Sequence, residues 1–243
     1  LARRTLILFT PFVNSAIFGK ISAYLEALSA FSKYYYFYTF SVNKAMAATT
    51  LCFDGSTPAV GTTAPEWGNY VFPPLQNIPG KRDPELYDQI LNQFAVGVNP
   101  RYKFREGGYW CNIFLWDVSR AMGAEIPHWI SEDGEIAAPN AKGATETTVN
   151  DLVDWMFTLG VTKYGWKKTT EHVARQSANE GKITVILWKN ITGDHGHAAV
   201  MRPNFDLDTP IIIAQAGLFN FNHGRLEKGF GTDKKDLLFF YHD

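Results

Sequence analysis

The sequence predicts an α+β domain in which helices pack on an antiparallel sheet. Apolar residues recur at helical spacing between about residues 84 and 179, and β-branched and aromatic runs dominate from residue 183 onward. Helices that come first and strands that follow in a block indicate segregated layers rather than alternating βα units. Apolar residues form 46% of the 243-residue chain, enough to bury a core, and charged residues, at 19%, are too few for a disordered chain.

Residues 1–50 read as a basic, apolar N-terminal segment. Arg3, Arg4, Lys20, Lys33 and Lys44 stand there against Glu26 alone, around apolar runs at 6–9, 12–18 and 34–40. Positive charge followed by apolar sequence is the pattern of a targeting region, and Ala45-Met46-Ala47 offers small residues for cleavage. This reading predicts a secreted or extracytoplasmic protein; a helical extension packed on the domain is the alternative. Lys20, Glu26 and Lys33 interrupt the apolar sequence, so no continuous span of about 20 residues is available for a membrane helix. Any membrane contact is therefore expected through residues 1–50 only.

Residues 51–82 read as a Pro/Gly-rich linker, punctuated by Pro58, Pro65, Pro73, Pro74 and Pro79. The main domain is expected over 83–243. Asp83 caps a first helix with Pro84 at its first position, and Leu86, Ile90, Leu91 and Phe94 form its apolar stripe. Gly97, Pro100, Gly107 and Gly108 break the chain before a second helix, Cys111 to about Met122, which Gly123 stops. Residues 131–143 read as a loop. A third helix covers about 148–159 and a short fourth about 170–179. Strands follow at 183–188, 198–201, 211–215 and 237–241.

Composition excludes several function classes. The net charge of −1, without a basic block, argues against nucleic-acid binding. Cys52 and Cys111 are the only cysteines, so there is neither a disulfide framework nor zinc-ligand spacing. A Cys52–Cys111 bond would block the thiol.

Cys111 opens an amphipathic helix after two glycines. Unpaired backbone N–H groups at a helix N-terminus favour a thiolate and can hold an oxyanion. A free cysteine is ordinarily core filler, so a base partner is what gives it meaning. His197 supplies one, at the head of an apolar strand in Asp194-His-Gly-His-Ala-Ala-Val-Met201. As alternatives, His197 is a satisfied core histidine, or Asp194, His195 and His197 hold a metal. No further ligand motif supports the metal. Gln215 ends the next strand, where its amide oxygen can accept the imidazole Nδ1–H. Asn220 and Asn222 compete for that role. Tyr102, Tyr109, Trp110 and Asn112 are the oxyanion and cleft candidates. Trp166 and Trp188 are further aromatics near the motifs, whereas Trp116 and Trp155, on helical apolar faces, belong to the core.

Together these residues resemble the NlpC/P60 and CHAP superfamily of papain-like peptidoglycan amidases and endopeptidases. The resemblance rests on a helix N-terminal Cys111, Gly165-Trp166, Val185-Ile-Leu-Trp-Lys-Asn190, Gly196-His197 and Gln215-Ala-Gly217, and covers about residues 83–243. It implies a papain-like fold, a Cys111 nucleophile, a His197 base, Gln215 as third member, and no cofactor or metal. Its implied substrate is a peptidoglycan stem peptide. Trp110-Cys111-Asn112-Ile113 stands where many members have Asp-Cys-Ser-Gly, which leaves the subfamily open. A non-catalytic cell-wall-binding module on the same fold, and a cysteine amidase or transferase with another substrate, are the rival expectations. The sequence does not set the oligomeric state.

Overall fold

A computed structural model of the protein describes residues 75–243, except 105–107, 140, 194 and 233–234. The basic segment 1–50 and the stretch 51–74 lie outside the described residues. The elements run α1 (Pro84–Gln93), a 3-10 turn (Pro100–Tyr102), α2 (Cys111–Ala121), β1 (Trp129–Ile130), β2 (Thr145–Glu146) and α3 (Val149–Trp155). They continue with β3 (Lys167–Thr169), α4 (Glu171–Asn179), β4 (Ile183–Trp188), β5 (His197–Met201), β6 (Ile212–Gln215), β7 (Phe221–Arg225), α5 (Leu226–Phe230) and β8 (Leu237–His242). The fold is α+β, with antiparallel pairing throughout: β1 pairs with β2, and a six-stranded sheet runs β3-β8-β4-β5-β6-β7.

Local chemistry sets the helix starts. The Asp83 carboxylate accepts from Leu86 N at 2.9 Å, with Pro84 in the first turn. Thr148 and Asp151 form a reciprocal capping box that starts α3, and the Thr170 hydroxyl caps α4. Each such cap is worth about 1 kcal/mol. The helix expected over 148–159 is regular only to Trp155 and then widens into a π turn over Met156–Gly160. Three short strands, β1 to β3, and β7 went unanticipated because their burial does not alternate clearly over two to five residues, and α5 because five residues are too few to show a helical period.

The core lies between the helices and the sheet. Tyr87, Ile90, Leu91 and Phe94 of α1 meet Ile113, Phe114 and Val118 of α2, and β4 and β5 contribute Val185, Ile186, Leu187, Ala198, Ala199 and Val200. Full burial of a large apolar side chain contributes roughly 1.5–3 kcal/mol. The Tyr87 hydroxyl donates to Met201 O at 2.7 Å and accepts from Thr184 N at 3.1 Å, which ties α1 to β4 and β5. α2 rests on β5 and β6, α3 on β4 and β5, and α5 on β6 and β7. This packing brings the α2 N-terminus to the head of β5.

Residues 75–82, the described end of the proline-rich stretch, are bound into the domain. Asn77 is fully buried and donates to Asp83 O at 2.9 Å and to Gly181 O at 3.3 Å. Among the described residues no helix is long and apolar enough to cross a membrane.

Candidate active site

A cleft of about 550 Å³ opens where α2, the β2–α3 junction, the head of β5 and the β6–β7 loop converge. Its lining includes Cys111, Asn112, His197 and Gln215. Three residues from three distant parts of the sequence, chosen for nucleophilic chemistry, thus share one cavity.

Cys111 is the first residue of α2, and Trp110 at the cap position makes no side-chain capping bond. In that first turn the Ile113 N–H is taken by Asn112 Oδ1, which leaves the N–H groups of Cys111 and Asn112 for other acceptors. The N–H groups of Ala198, Asn112 and Cys111 reach the Cys111 sulfur. Ala198 directly follows His197, so this contact carries the thiol to the head of β5. Cys111 is a free thiol, 7% exposed. The helix terminus was expected to lower its pKa. Instead burial pushes the thiol up, and the three N–H groups only oppose that shift.

His197 begins β5, whose register sets Val200 opposite Ala214 and Met201 opposite Ile213. One step along this ladder puts Ala199 beside Gln215, and strand alternation then sets His197 and Gln215 on one face. The imidazole Nε2 lies 2.8 Å from Gln215 Oε1. Gln215 is therefore the side chain that orients the ring, although through Nε2 rather than the expected Nδ1. With Nε2 donating to an amide oxygen, Nδ1 is left as the acceptor. The Phe230 ring packs at 4.8 Å from the imidazole and limits its rotation. Burial lowers the His197 pKa, opposed by the Gln215 bond. Thiol and imidazole are both biased toward their neutral forms.

Gln215 is itself fixed. Its Nε2 donates to Phe219 O at 3.1 Å, and it is 2% exposed. Gly229 makes this possible: a Cβ there would stand 2.1 Å from Gln215 Oε1. Gly196 plays a similar part before His197, where a Cβ would fall 2.2 Å from Trp188 O. Neither glycine's contact was legible in sequence, because both depend on strand partners remote along the chain.

The remaining candidates divide. Tyr109 lines the cleft and is 49% exposed. Asn112 also lines it, but its Nδ2 donates to Thr147 O at 2.9 Å and its Oδ1 accepts from Ile113 N, so the side chain is structural. Tyr102 is not an oxyanion donor: its hydroxyl donates to Asp117 Oδ2 at 2.7 Å inside the core. Trp110 lies outside the cleft lining, with its ring against Gly108, and Trp166 is buried. Trp188 lies outside the lining as well, whereas Trp116 and Trp155 are core, as expected. Asn220 does not reach His197. Its Oδ1 accepts from Gly217 N and its Nδ2 donates to Tyr102 O, so it shapes the β6–β7 loop. Asn222 donates to Asn92 Oδ1 on the far side of that hairpin. Among the described residues no group of three or more His, Cys, Asp or Glu could hold a metal; Asp194 lies outside them.

Sequence reasoning missed Glu146, Thr147 and Lys228, which also line the cleft. Glu146 and Lys228 are ordinary surface residue types with no motif around them. No protein-family model matches the chain, and no curated protein matches its sequence.

Proposed function

We propose that the protein is a papain-like cysteine hydrolase that cleaves amide or peptide bonds in peptidoglycan, with Cys111 as nucleophile, His197 as base and Gln215 as orienting residue. The observation that carries this reading is the 2.8 Å contact between His197 Nε2 and Gln215 Oε1 in the cleft that Cys111 also lines. A core histidine has no need of a buried amide that fixes its tautomer beside a free thiol. The peptidoglycan substrate rests on the family resemblance of the sequence motifs, and an extracytoplasmic location on the composition of residues 1–50.

The chemistry follows from the neutral resting pair. His197 Nδ1 takes the thiol proton as Cys111 Sγ attacks the scissile carbonyl carbon. The oxyanion that forms takes a hydrogen bond from the Cys111 backbone N–H at the uncapped helix start. His197 then returns the proton to the leaving nitrogen as the C–N bond breaks, leaving a thioester. Water, deprotonated by His197, attacks the thioester carbonyl, releases the carboxylic acid and restores the thiol.

Purified protein incubated with peptidoglycan should release soluble muropeptides identifiable by mass spectrometry, and Cys111→Ala should release none. Absence of fragments from any peptidoglycan, with no selective labelling of Cys111 by iodoacetamide even at alkaline pH, would sink the enzyme reading. The second reading is a non-catalytic cell-wall-binding module, favoured by the burial that holds the thiol protonated. Sedimentation with peptidoglycan unchanged by Cys111→Ala, without turnover by the parent protein, would favour it.

A further inference from the structure

The turn that delivers the base is held from outside its own hairpin. β4 and β5 end their pairing with Trp188 opposite His197, and residues 189–196 connect them. Asn190 shapes this turn from within. Its Oδ1 accepts from Thr192 N at 3.1 Å, and its Nδ2 donates to His195 O at 3.2 Å. Those bonds give the turn a form but do not set where it sits. Two side chains of α3 tie it to the body of the domain. Asp154 pairs with Lys189, an ion pair of solvent-exposed groups that contributes little. Asn150 makes three bonds: its Oδ1 accepts from Asn190 N at 2.9 Å, and its Nδ2 donates to Asn190 O and to Gly193 O, both at 3.0 Å.

The Asn150 amide thus pairs with Asn190 through both its N–H and its C=O, much as one strand pairs with another. It also meets the residue before the base. A Cβ on Gly196 would fall 2.8 Å from Asn150 Oδ1, so only a residue without a side chain fits beneath it. Asn150 itself lies outside the cleft lining. The start of α3 holds the nucleophile's element as well. Thr147 O accepts from Asn112 Nδ2 at 2.9 Å, and Asn112 directly follows Cys111. Between that anchor and Asn150 stands Thr148, whose capping box with Asp151 stiffens the whole turn.

We infer that Asn150 is a positioning residue: it fixes the turn before His197 and, with Asn112 anchored on Thr147, makes the start of α3 the strut that spaces base and nucleophile. This rests on the hydrolase reading and adds what keeps its two reacting groups in register. Cys111 and His197 belong to different layers, a helix and the sheet. A ring displaced along the cleft loses its place toward the thiol and its bond to Gln215 together. Misplacing a reacting group by 1 Å can cost about 10²-fold in rate. Asn150 touches no reacting atom, so its loss acts on kcat and spares KM.

The test compares Asn150→Ala and Asn150→Asp with the unaltered full chain. Asn150 is the second residue of α3, where a carboxylate suits the helix dipole. Asn150→Asp therefore protects the helix while it gives up both donated bonds. Two readouts are taken well below the melting transition. Release of muropeptides from peptidoglycan gives kcat and KM. Proton NMR follows the His197 Nε2–H resonance that the Gln215 bond shields from exchange, assigned by its absence in His197→Gln. Support is a kcat lower by about ten-fold or more in both variants, a KM within about two-fold, and loss or exchange broadening of the resonance. An unchanged kcat in the folded variants overturns the positioning role, and so does a lower kcat with the resonance intact. A loss confined to the melting temperature assigns Asn150 to stability alone and overturns it too. If no form releases muropeptides, the hydrolase reading falls, and the resonance decides alone: its persistence in both variants removes the positioning of the ring, and its loss retains it.

Discussion

Helix α2 carries two polar groups of opposite fate. At its first residue Cys111 lines the cleft that also holds the His197 imidazole, which is biased toward its neutral form. Two turns on, Asp117 is fully buried and clasped by Arg101, with Nε–Oδ2 at 2.6 Å and Nη2–Oδ1 at 2.9 Å, and by the Tyr102 hydroxyl. Both groups feel burial as the largest influence on their pKa, and in both it acts upward. Asp117 meets a fixed cation that opposes the shift. Cys111 meets only backbone N–H groups. The difference teaches that burial does not by itself set a group's fate: a permanent charge locks Asp117 into the core as an ion pair, whereas neutral backbone donors leave the Cys111 thiol without a fixed counter-ion.

That contrast can be broken at either end. The largest effect is expected from Cys111→Ala, which should abolish muropeptide release while thermal melting changes little, since one small buried side chain is trimmed. His197→Ala should lower kcat by about 10²- to 10⁴-fold, the range of a lost general base. At the closed end, Asp117→Ala should cost about 3–5 kcal/mol in chemical denaturation, because it leaves Arg101 buried without its carboxylate. Replacing Arg101 and Asp117 together by Met and Leu should recover much of that loss. Gly229→Ala is smaller and sharper. Its Cβ meets Gln215 Oε1, so kcat should fall about ten-fold while KM and melting hold, as expected of a positioning defect. Equal kcat in Gln215→Ala and Gly229→Ala/Gln215→Ala would agree; a further loss of about ten-fold on adding Gly229→Ala to Gln215→Ala would remove Gln215 from the explanation.

The smallest effect is on pH. The acid limb of activity follows protonation of His197. Its lowered pKa moves that limb below the ordinary histidine value of 6.5, so activity should persist into mildly acidic buffer. The Cys111 pKa is raised from 9.0, so direct alkylation should accelerate only toward alkaline pH. Stability carries the matching sign for His197. A depressed basic pKa means the unfolded chain binds more protons, so stability is full above 6.5 and declines as pH falls toward the folded value. Melting followed across pH in His197→Gln, which lacks this group, should be flatter over that window.

Much of the helical layer was legible in the sequence. Asp83-Pro84, Thr148 with Asp151, and Thr170 each announce a helix start by chemistry local to four residues. The β4 run at 183–188 was legible for the same reason: six apolar or β-branched residues in a row leave little alternative. That Cys111, His197 and Gln215 meet in one cleft was readable from their placement at element boundaries. What escaped depends on pairing at a distance. The Arg101–Asp117 clasp needs α2 folded against the 3-10 turn, and the His128–Glu146 contact needs the two-residue ladder of β1 and β2. The choice of imidazole nitrogen also escaped, because ring orientation depends on Phe230 and Gly229 from an unforeseen helix.

The outermost strand of the large sheet has a bearing on how these molecules behave toward one another. β3 is three residues long, and two of them are lysines. Lys167 holds its ammonium over Tyr241 and Lys168 over the half-open Phe157 ring. An unpaired strand edge is a template for a stranger's backbone. Here a would-be ninth strand meets two positive charges and finds the neighbouring aromatic faces already covered. Among the described residues this edge of the sheet is thereby guarded by two side chains.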